Sequence, residues 1–288
     1  MQANLEYVGG PDFPEEFQEF ARAVAARVLA DEGKLDDALA AIDLAAAALG
    51  LALGLTAGVA LALAGAGSDV ALVARSEDQL QSAAEEIQAL GRRAVAFPAD
   101  LTQIQQQASL TEKISQTMGG IDILVNNAGI NIPEDSVDVT EKTWDTLMNI
   151  NLKGAFFMAQ AVGKLMITQK RGGRIINMTS QTGSVALAKR AAYCASKAGL
   201  NLVTKVLAME WAPHEILVNA VAPTFVETEL TKDFLANPDF REYALAKNLL
   251  KRFGKPDDVA AAVLYLASPA ANMVTGHVLF VDAGWTAH

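Results

Sequence analysis

Cysteine, histidine and basic charge are all scarce in this sequence, and each scarcity removes a class of function. Cys194 is the only cysteine, so no disulfide can form within the chain, which fits a reducing compartment and an expected place in the cytoplasm. His214, His277 and His288 lie far apart and, with one cysteine, cannot build a typical zinc site, so no metal is expected. Lys and Arg number 23 against 33 Asp and Glu, a net charge of −10. Such a chain has no general field for a phosphate backbone and shows no local basic patch, so no nucleic-acid partner is expected. The N-terminus lacks a basic stretch followed by an apolar core, so no signal peptide is expected. Leu44 to Ser68 is 25 residues without a charge, long enough to span a bilayer. It is mostly Ala and Gly and has no flanking Lys or Arg cluster, so a buried strand–turn–helix, with Ala45–Ala48 as the chain's first strand, is the better reading and no membrane partner is expected.

What the chain has is core. Hydrophobic residues make up 51% of 288, enough for one large α/β domain. Residues 1–42 form an appended segment in which Phe17, Phe20, Ala21, Val24 and Val28 recur at helical spacing. From residue 43 to 288 short β-branched runs alternate with helical segments. The runs are Val70–Ala74, Ala94–Phe97, Ile121–Val125, Arg174–Met178, Leu217–Val221 and Val278–Val281. The helices include Glu77–Leu90, with Ser76 and Gln79 as an expected capping box, and Pro256–Ala267, with proline in its first turn. Runs apolar on both faces between helices predict a doubly wound parallel sheet, a Rossmann-like single domain with a helical N-terminal extension. Trp144 and Trp211 are expected to anchor helices, and Cys194 to be a small packed residue rather than a nucleophile.

Doubly wound sheets bind ligands beyond the carboxyl ends of their strands. Asn126-Asn127-Ala128-Gly129, Thr179-Ser180 and Ala222-Pro223-Thr224 follow three of the runs. Tyr193 and Lys197 are four apart and so share a helix face. An ammonium there is expected to lower the phenol's pKa and make it a proton carrier near neutral pH. Ser180, 13 residues upstream at a strand end, can orient a carbonyl oxygen, and Asn151 completes the set.

With these motifs, Asp100-Leu101-Thr102, the Pro223…Thr228 segment and the terminal Val281-Asp282-Ala283-Gly284-Trp285, the chain from about Asp69 onward resembles the short-chain dehydrogenase/reductase family. The resemblance implies a nicotinamide-dependent enzyme interconverting a secondary alcohol and a ketone on a small-molecule substrate. In it Tyr193 is the general acid/base, Lys197 holds the nicotinamide ribose and tunes the tyrosine, Ser180 polarises the carbonyl, and Asn151 helps hold a proton-relay water. It also implies cofactor contacts from Gly50, Gly54, Asp100, Leu101, Asn127, Ala128, Gly129, Pro223 and Thr228, and a homotetramer built through the Asn151 and Tyr193 helices. The segments after Asn-Asn-Ala-Gly and Ala-Pro, and the ending Gly-Trp-Thr-Ala-His, resemble sugar and sugar-acid dehydrogenases of the family, gluconate 5-dehydrogenase among them. They look less like its 3-oxoacyl-thioester reductases, which stay as the alternative. Thr224–Arg252 is expected to form a lid over the substrate, with Trp285 near a subunit interface or the mouth of the site.

Charge speaks to the cofactor. The position after the second strand that takes an acid in NAD-binding folds is Ala74, followed by Arg75. A missing carboxylate and a neighbouring guanidinium favour a 2′-phosphate, so NADP(H) is preferred and NAD(H) possible. The family's glycine turn falls at Leu49–Thr56, where only Gly50 and Gly54 survive. Thr56 stands at the third glycine and is expected to crowd the turn and weaken cofactor binding; a folded binding or structural protein is the reading if that defect is complete. Lys189 and Arg190, just before the tyrosine helix, are expected to attract a carboxylate substrate in this otherwise acidic protein.

Overall fold

From Gly54 onward strands and helices alternate as the hydrophobic pattern requires. The computed structural model describes residues 54–228 and 231–287, all within a unit spanning Leu49–His288. The expected extension over 1–42, the expected strand at 45–48 and Gly50 lie outside the described residues. Helix α1 (Gly54–Gly65) leads to β1 (Val70–Ala74), α2 (Glu77–Ala89) and β2 (Ala94–Pro98). Helix α3 (Ile104–Met118), β3 (Ile123–Asn126) and α4 (Glu141–Met148) follow. A π-helical turn, Asn149–Gly154, runs into α5 (Ala155–Gln169), β4 (Gly173–Met178) and the long α6 (Ala191–Trp211). The chain closes with β5 (Ile216–Pro223), α7 (Lys232–Ala236), α8 (Pro238–Lys247), α9 (Pro256–Ala267) and β6 (Val278–Val281).

Every strand pair among the described residues is parallel, because each connection carries a crossover helix. Strand β1 pairs with β2, and β3-β4-β5-β6 form a four-stranded sheet. The register sets Asn126 beside Asn177, Met178 beside Val221 and Pro223 beside Val281, so the strands' carboxyl ends share one edge. That edge is where the chemistry-bearing residues collect.

The uncharged alanine run becomes a packed helix. Ala57, Ala60, Leu61 and Ala64 of α1 bury against Leu72, Leu80, Ala84 and Ile87. Small residues let α1 lie close to α9: a methyl added at Gly58 would come within 3.3 Å of Pro256 Cβ. No helix among the described residues is long and apolar enough to cross a membrane. A second core joins Met158, Val162 and Met166 of α5 to Ile175, Val218 and Leu207. Trp211 anchors α6 there, its ring lying where a Gly163 side chain would begin, whereas Trp144 is 41% exposed and anchors nothing comparable.

Two local expectations change. Ser76 caps α2 by position, but its hydroxyl makes no capping bond, so the Ser76–Gln79 box does not form. The strands are also less purely apolar than expected. Asn126, Asn177 and Asn219 are buried in β3, β4 and β5, where hydrogen bonds offset their desolvation. Asn126 Nδ2 donates to Asn177 Oδ1 (3.0 Å) and to the Ala155 carbonyl (3.0 Å), and Asn177 Nδ2 donates to Thr204 Oγ1 (2.9 Å). This polar chain ties β3, β4 and α6 into one register beneath the site.

Candidate active site

Beyond the end of β4 the chain turns through Thr179 and Ser180 into a short 3-10 turn, Gln181–Gly183. Ser180 Oγ accepts from Thr182 N (3.2 Å) and Thr182 Oγ1 (3.0 Å). With those acceptor positions filled, the Ser180 proton is left to donate outward, and it hydrogen-bonds the Tyr193 oxygen. Thr182 is a residue that motif reading missed; the Ser-x-Thr pattern after a strand is the signal that finds such a turn.

Helix α6 places Tyr193 and Lys197 one turn apart. Lys197 is 4% exposed, and its Nζ donates to the Met178 carbonyl at 2.8 Å, 5.8 Å from the centre of the Tyr193 ring. Burial pushes the Lys197 pKa from 10.5 down to about 8. Tyr193 departs from expectation. Burial raises its pKa, with the Ser180 hydrogen bond working in the opposite direction. The lysine does not lower it here, because its ammonium is turned onto a backbone carbonyl and is itself desolvated. The tyrosine is a neutral phenol at pH 7, the form that gives a proton away.

Asn151 lies in the π-helical turn and is fully buried. Its Oδ1 accepts from Ile130 N (2.8 Å), while Nδ2 donates to the Ile130 carbonyl (2.9 Å) and Ser196 Oγ (3.1 Å). Its side chain therefore fastens the strand-end loop after Gly129 to α6. Gly129 sits where a methyl group would come within 3.3 Å of both Asn151 Oδ1 and Lys197 Nζ. Gly129→Ala should displace the ammonium and lower kcat/KM by about 10-fold while the melting temperature changes little, measurable by steady-state kinetics beside thermal denaturation.

The other strand ends face the expected cofactor side. Arg75 is exposed after β1. Asp100 Oδ1 accepts from Thr102 N (2.9 Å) and Thr102 Oγ1 (2.8 Å), bonds that hold its pKa below the usual carboxylate range, and Arg75 adds a smaller attraction. Buried Gln107, unnoticed in the sequence, clamps this loop to the π turn by donating to the carbonyls of Leu101 (2.8 Å) and Gly154 (3.1 Å). Ala128 and Gly129 are exposed. Gly54 opens α1 at φ +63°, a conformation that suits glycine. Thr56, expected at the third glycine to crowd the turn, does not lie on the packed face of α1. It is exposed, and its hydroxyl accepts from Asn127 Nδ2 at 2.5 Å; the close approach falls at Gly58 instead. A nicotinamide dinucleotide fits this set. The Lys197 ammonium uses one of its three donors on protein, leaving two for ribose hydroxyls, and Arg75 is open to a 2′-phosphate.

Thr224–Arg252 carries α7 and α8 rather than loop alone. Phe225 stacks edge-on to Phe240 (4.9 Å) and lies 5.7 Å from Trp285, and Tyr243 is 5.9 Å from Trp285. Trp285 is thus a buried peg for this segment. Pro223 ends β5, and Thr228 N donates to Thr231 Oγ1 (2.9 Å) at the entry to α7. The expected cationic pair splits. Lys189 is exposed and bonded to Asp135 (3.0 Å), so it is not free to draw in a substrate, whereas Arg190 is 8% exposed. An exposed pair of this kind contributes little, so Lys189→Ala should change unfolding free energy by less than about 1 kcal/mol in a denaturant titration.

Residues 50–286 match the family model described as enoyl-(acyl carrier protein) reductase. The chain is 40% identical over 234 residues to 2-dehydro-3-deoxy-D-gluconate 5-dehydrogenase of Dickeya dadantii, covering 81% of this chain and 92% of that protein. It is 44% identical over 196 residues to the NAD-dependent glycerol dehydrogenase of Listeria innocua, covering 67% and 76%. The crystal structure of a gluconate 5-dehydrogenase from Burkholderia cenocepacia, in complex with NADP and tartrate, superposes with a TM-score of 0.78 at 32% identity, covering 82% of this chain and 92% of that one. With the parallel α/β sheet, these similarities define an NAD(P)-dependent oxidoreductase acting between secondary alcohol and ketone. The chain belongs to the short-chain dehydrogenase/reductase family.

Proposed function

We propose that this chain oxidises a secondary hydroxyl of a sugar acid, or reduces the matching ketone, with NADP(H) preferred over NAD(H). The observation that carries the chemistry is the Ser180–Tyr193 pair: a serine whose acceptor positions are occupied by Thr182, donating to a phenol that burial keeps protonated. When bound, the nicotinamide supplies the two-electron exchange with the carbinol carbon. Tyr193 gives its proton to the ketone oxygen in reduction and takes it from the hydroxyl in oxidation. Ser180 donates a hydrogen bond to the same oxygen, and Lys197 supplies donors to the ribose. Asn151 acts as a positioning residue for Gly129 and α6.

Ala74 in place of an acid, with Arg75 next to it, supports NADP(H), and the names of the gluconate-type relatives support a sugar acid. The test is a panel of D-gluconate, D-glucitol, glycerol and a 3-oxoacyl thioester with NADP(H) and NAD(H), following nicotinamide absorbance. Turnover of gluconate with NADP is the expected result; activity confined to the thioester would replace this reading by the reductase alternative. A cytoplasmic homotetramer belongs to the same proposal. Leu202, Val206 and Met209 leave an apolar stripe on α6 that is 64%, 45% and 80% exposed, a surface suited to a second copy. Light scattering that returns the mass of one chain would refute it.

A further inference from the structure

Among the described residues Arg190 has no carboxylate as an ion-pair partner. It is 8% exposed and stands at the N-terminal cap of the 21-residue helix α6, three residues before Tyr193. Its Nη1 donates to the neighbouring Lys189 carbonyl (3.1 Å), whereas its Nε is buried with no partner. The acids beside Lys189 make no ion pair with Arg190: Asp135 holds Lys189, and Glu134 accepts from Thr143 Oγ1 through Oε1 (3.3 Å) while its Oε2 is buried without a partner. What covers the guanidinium is the Phe234 ring of α7, 6.0 Å away. Arg252 shows the contrast, since both of its terminal nitrogens bridge Asp258 at 2.6 and 2.8 Å. A buried guanidinium without a carboxylate destabilises the ligand-free protein, and the helix N-terminus adds positive potential at the same place.

We propose that Arg190 is the carboxylate anchor of the site, its free Nε edge receiving the acid group of the substrate beneath α7 while Tyr193 and Ser180 hold the reacting oxygen. The inference rests on the sugar-acid reading above. It makes Arg190 a specificity-determining residue, separating acids from neutral polyols of the same length, and assigns Phe234 the task of covering the cation until an acid arrives. The Nε/Nη2 edge offers the paired donors that a carboxylate bridges.

D-Gluconate and D-glucitol differ at one end, carboxylate against hydroxymethyl, and so isolate this contact. Binding of each is measured by calorimetry and turnover by steady-state kinetics, for the wild type, Arg190→Gln and Arg190→Lys. In Arg190→Gln, gluconate affinity should fall about 30-fold, and the ratio of kcat/KM for gluconate to that for glucitol should fall by a similar factor. Arg190→Lys should recover part of the loss, since an ammonium keeps the charge but not the fork. Without ligand, Arg190→Gln should melt no lower than the wild type, whereas an arginine present only for packing would lower the melting temperature when removed. Equal gluconate affinity in wild type and Arg190→Gln, no gluconate binding by the wild type, or equal losses for both ligands would overturn the anchor. If the wild type turns over neither compound yet binds gluconate through Arg190, the anchor stands and the dehydrogenase assignment falls. If both are turned over with Arg190 irrelevant, the reverse holds.

Discussion

Tyr193→Phe is expected to lower kcat by at least about 10²-fold, with melting temperature and NADPH affinity close to wild type. The hydroxyl is the proton carrier, while the ring supplies the packing and remains in phenylalanine. Ser180 keeps Thr182 as its partner, so the loop should not collapse. The same group sets the pH dependence. Burial raises the Tyr193 pKa, so the protonated form persists past neutrality. Reduction, which uses the phenol, should hold its rate through neutral pH and fall as the tyrosine ionises. Oxidation, which uses the phenolate, should speed up over the same rise. Pre-steady-state rates in both directions, in wild type and variant, check this. More than about a tenth of the wild-type kcat remaining in Tyr193→Phe would remove the tyrosine from the proposed role.

The strands were legible because apolar runs of four to eight residues bounded by turn signals have few other uses. Val70–Ala74, Val278–Val281 and helix Pro256–Ala267 stand at the bounds the pattern implies. Tyr193 and Lys197 were legible because a four-residue spacing fixes a shared helix face. What stayed hidden depends on burial, which spacing does not encode. Lys189 and Arg190 are adjacent, yet one reaches solvent and Asp135 while the other turns under α7. The direction of the Tyr193 shift was misread for the same reason: the spacing brings the lysine near, but not where its ammonium points once Met178 offers a carbonyl. The Gln107–Gly154 bond and the Asn126–Asn177–Thr204 chain join structural polar groups 27 to 51 residues apart, beyond any local pattern.

Lys197→Met should abolish turnover and, at pH 7, stabilise the ligand-free protein. The lysine's pKa is about 8 in the folded chain against the usual 10.5, so folding prefers its neutral form. Below about pH 8 both folded and unfolded chains carry the proton, and the full penalty for a buried ammonium applies, on the order of 3 kcal/mol. Between about 8 and 10.5 the folded chain gives up the proton while the unfolded chain retains it, so stability rises with pH. Above 10.5 both forms are neutral and the penalty is gone. Methionine fills much of the same space without charge but leaves the Met178 carbonyl without the lysine's hydrogen bond, a loss of about 1 kcal/mol. The net gain for Lys197→Met is therefore about 2 kcal/mol at pH 7, shrinking to nothing or reversing by about pH 10.5. Urea denaturation of both proteins across that range measures the difference directly. A variant less stable than wild type at pH 7, or a difference independent of pH, would show that the ammonium is satisfied by surroundings other than the single carbonyl bond. It would then have no donors to spare for a ribose. The predicted pattern, stability sacrificed at neutral pH to keep a charge ready at the foot of α6, marks Lys197 as a residue kept for chemistry rather than for folding.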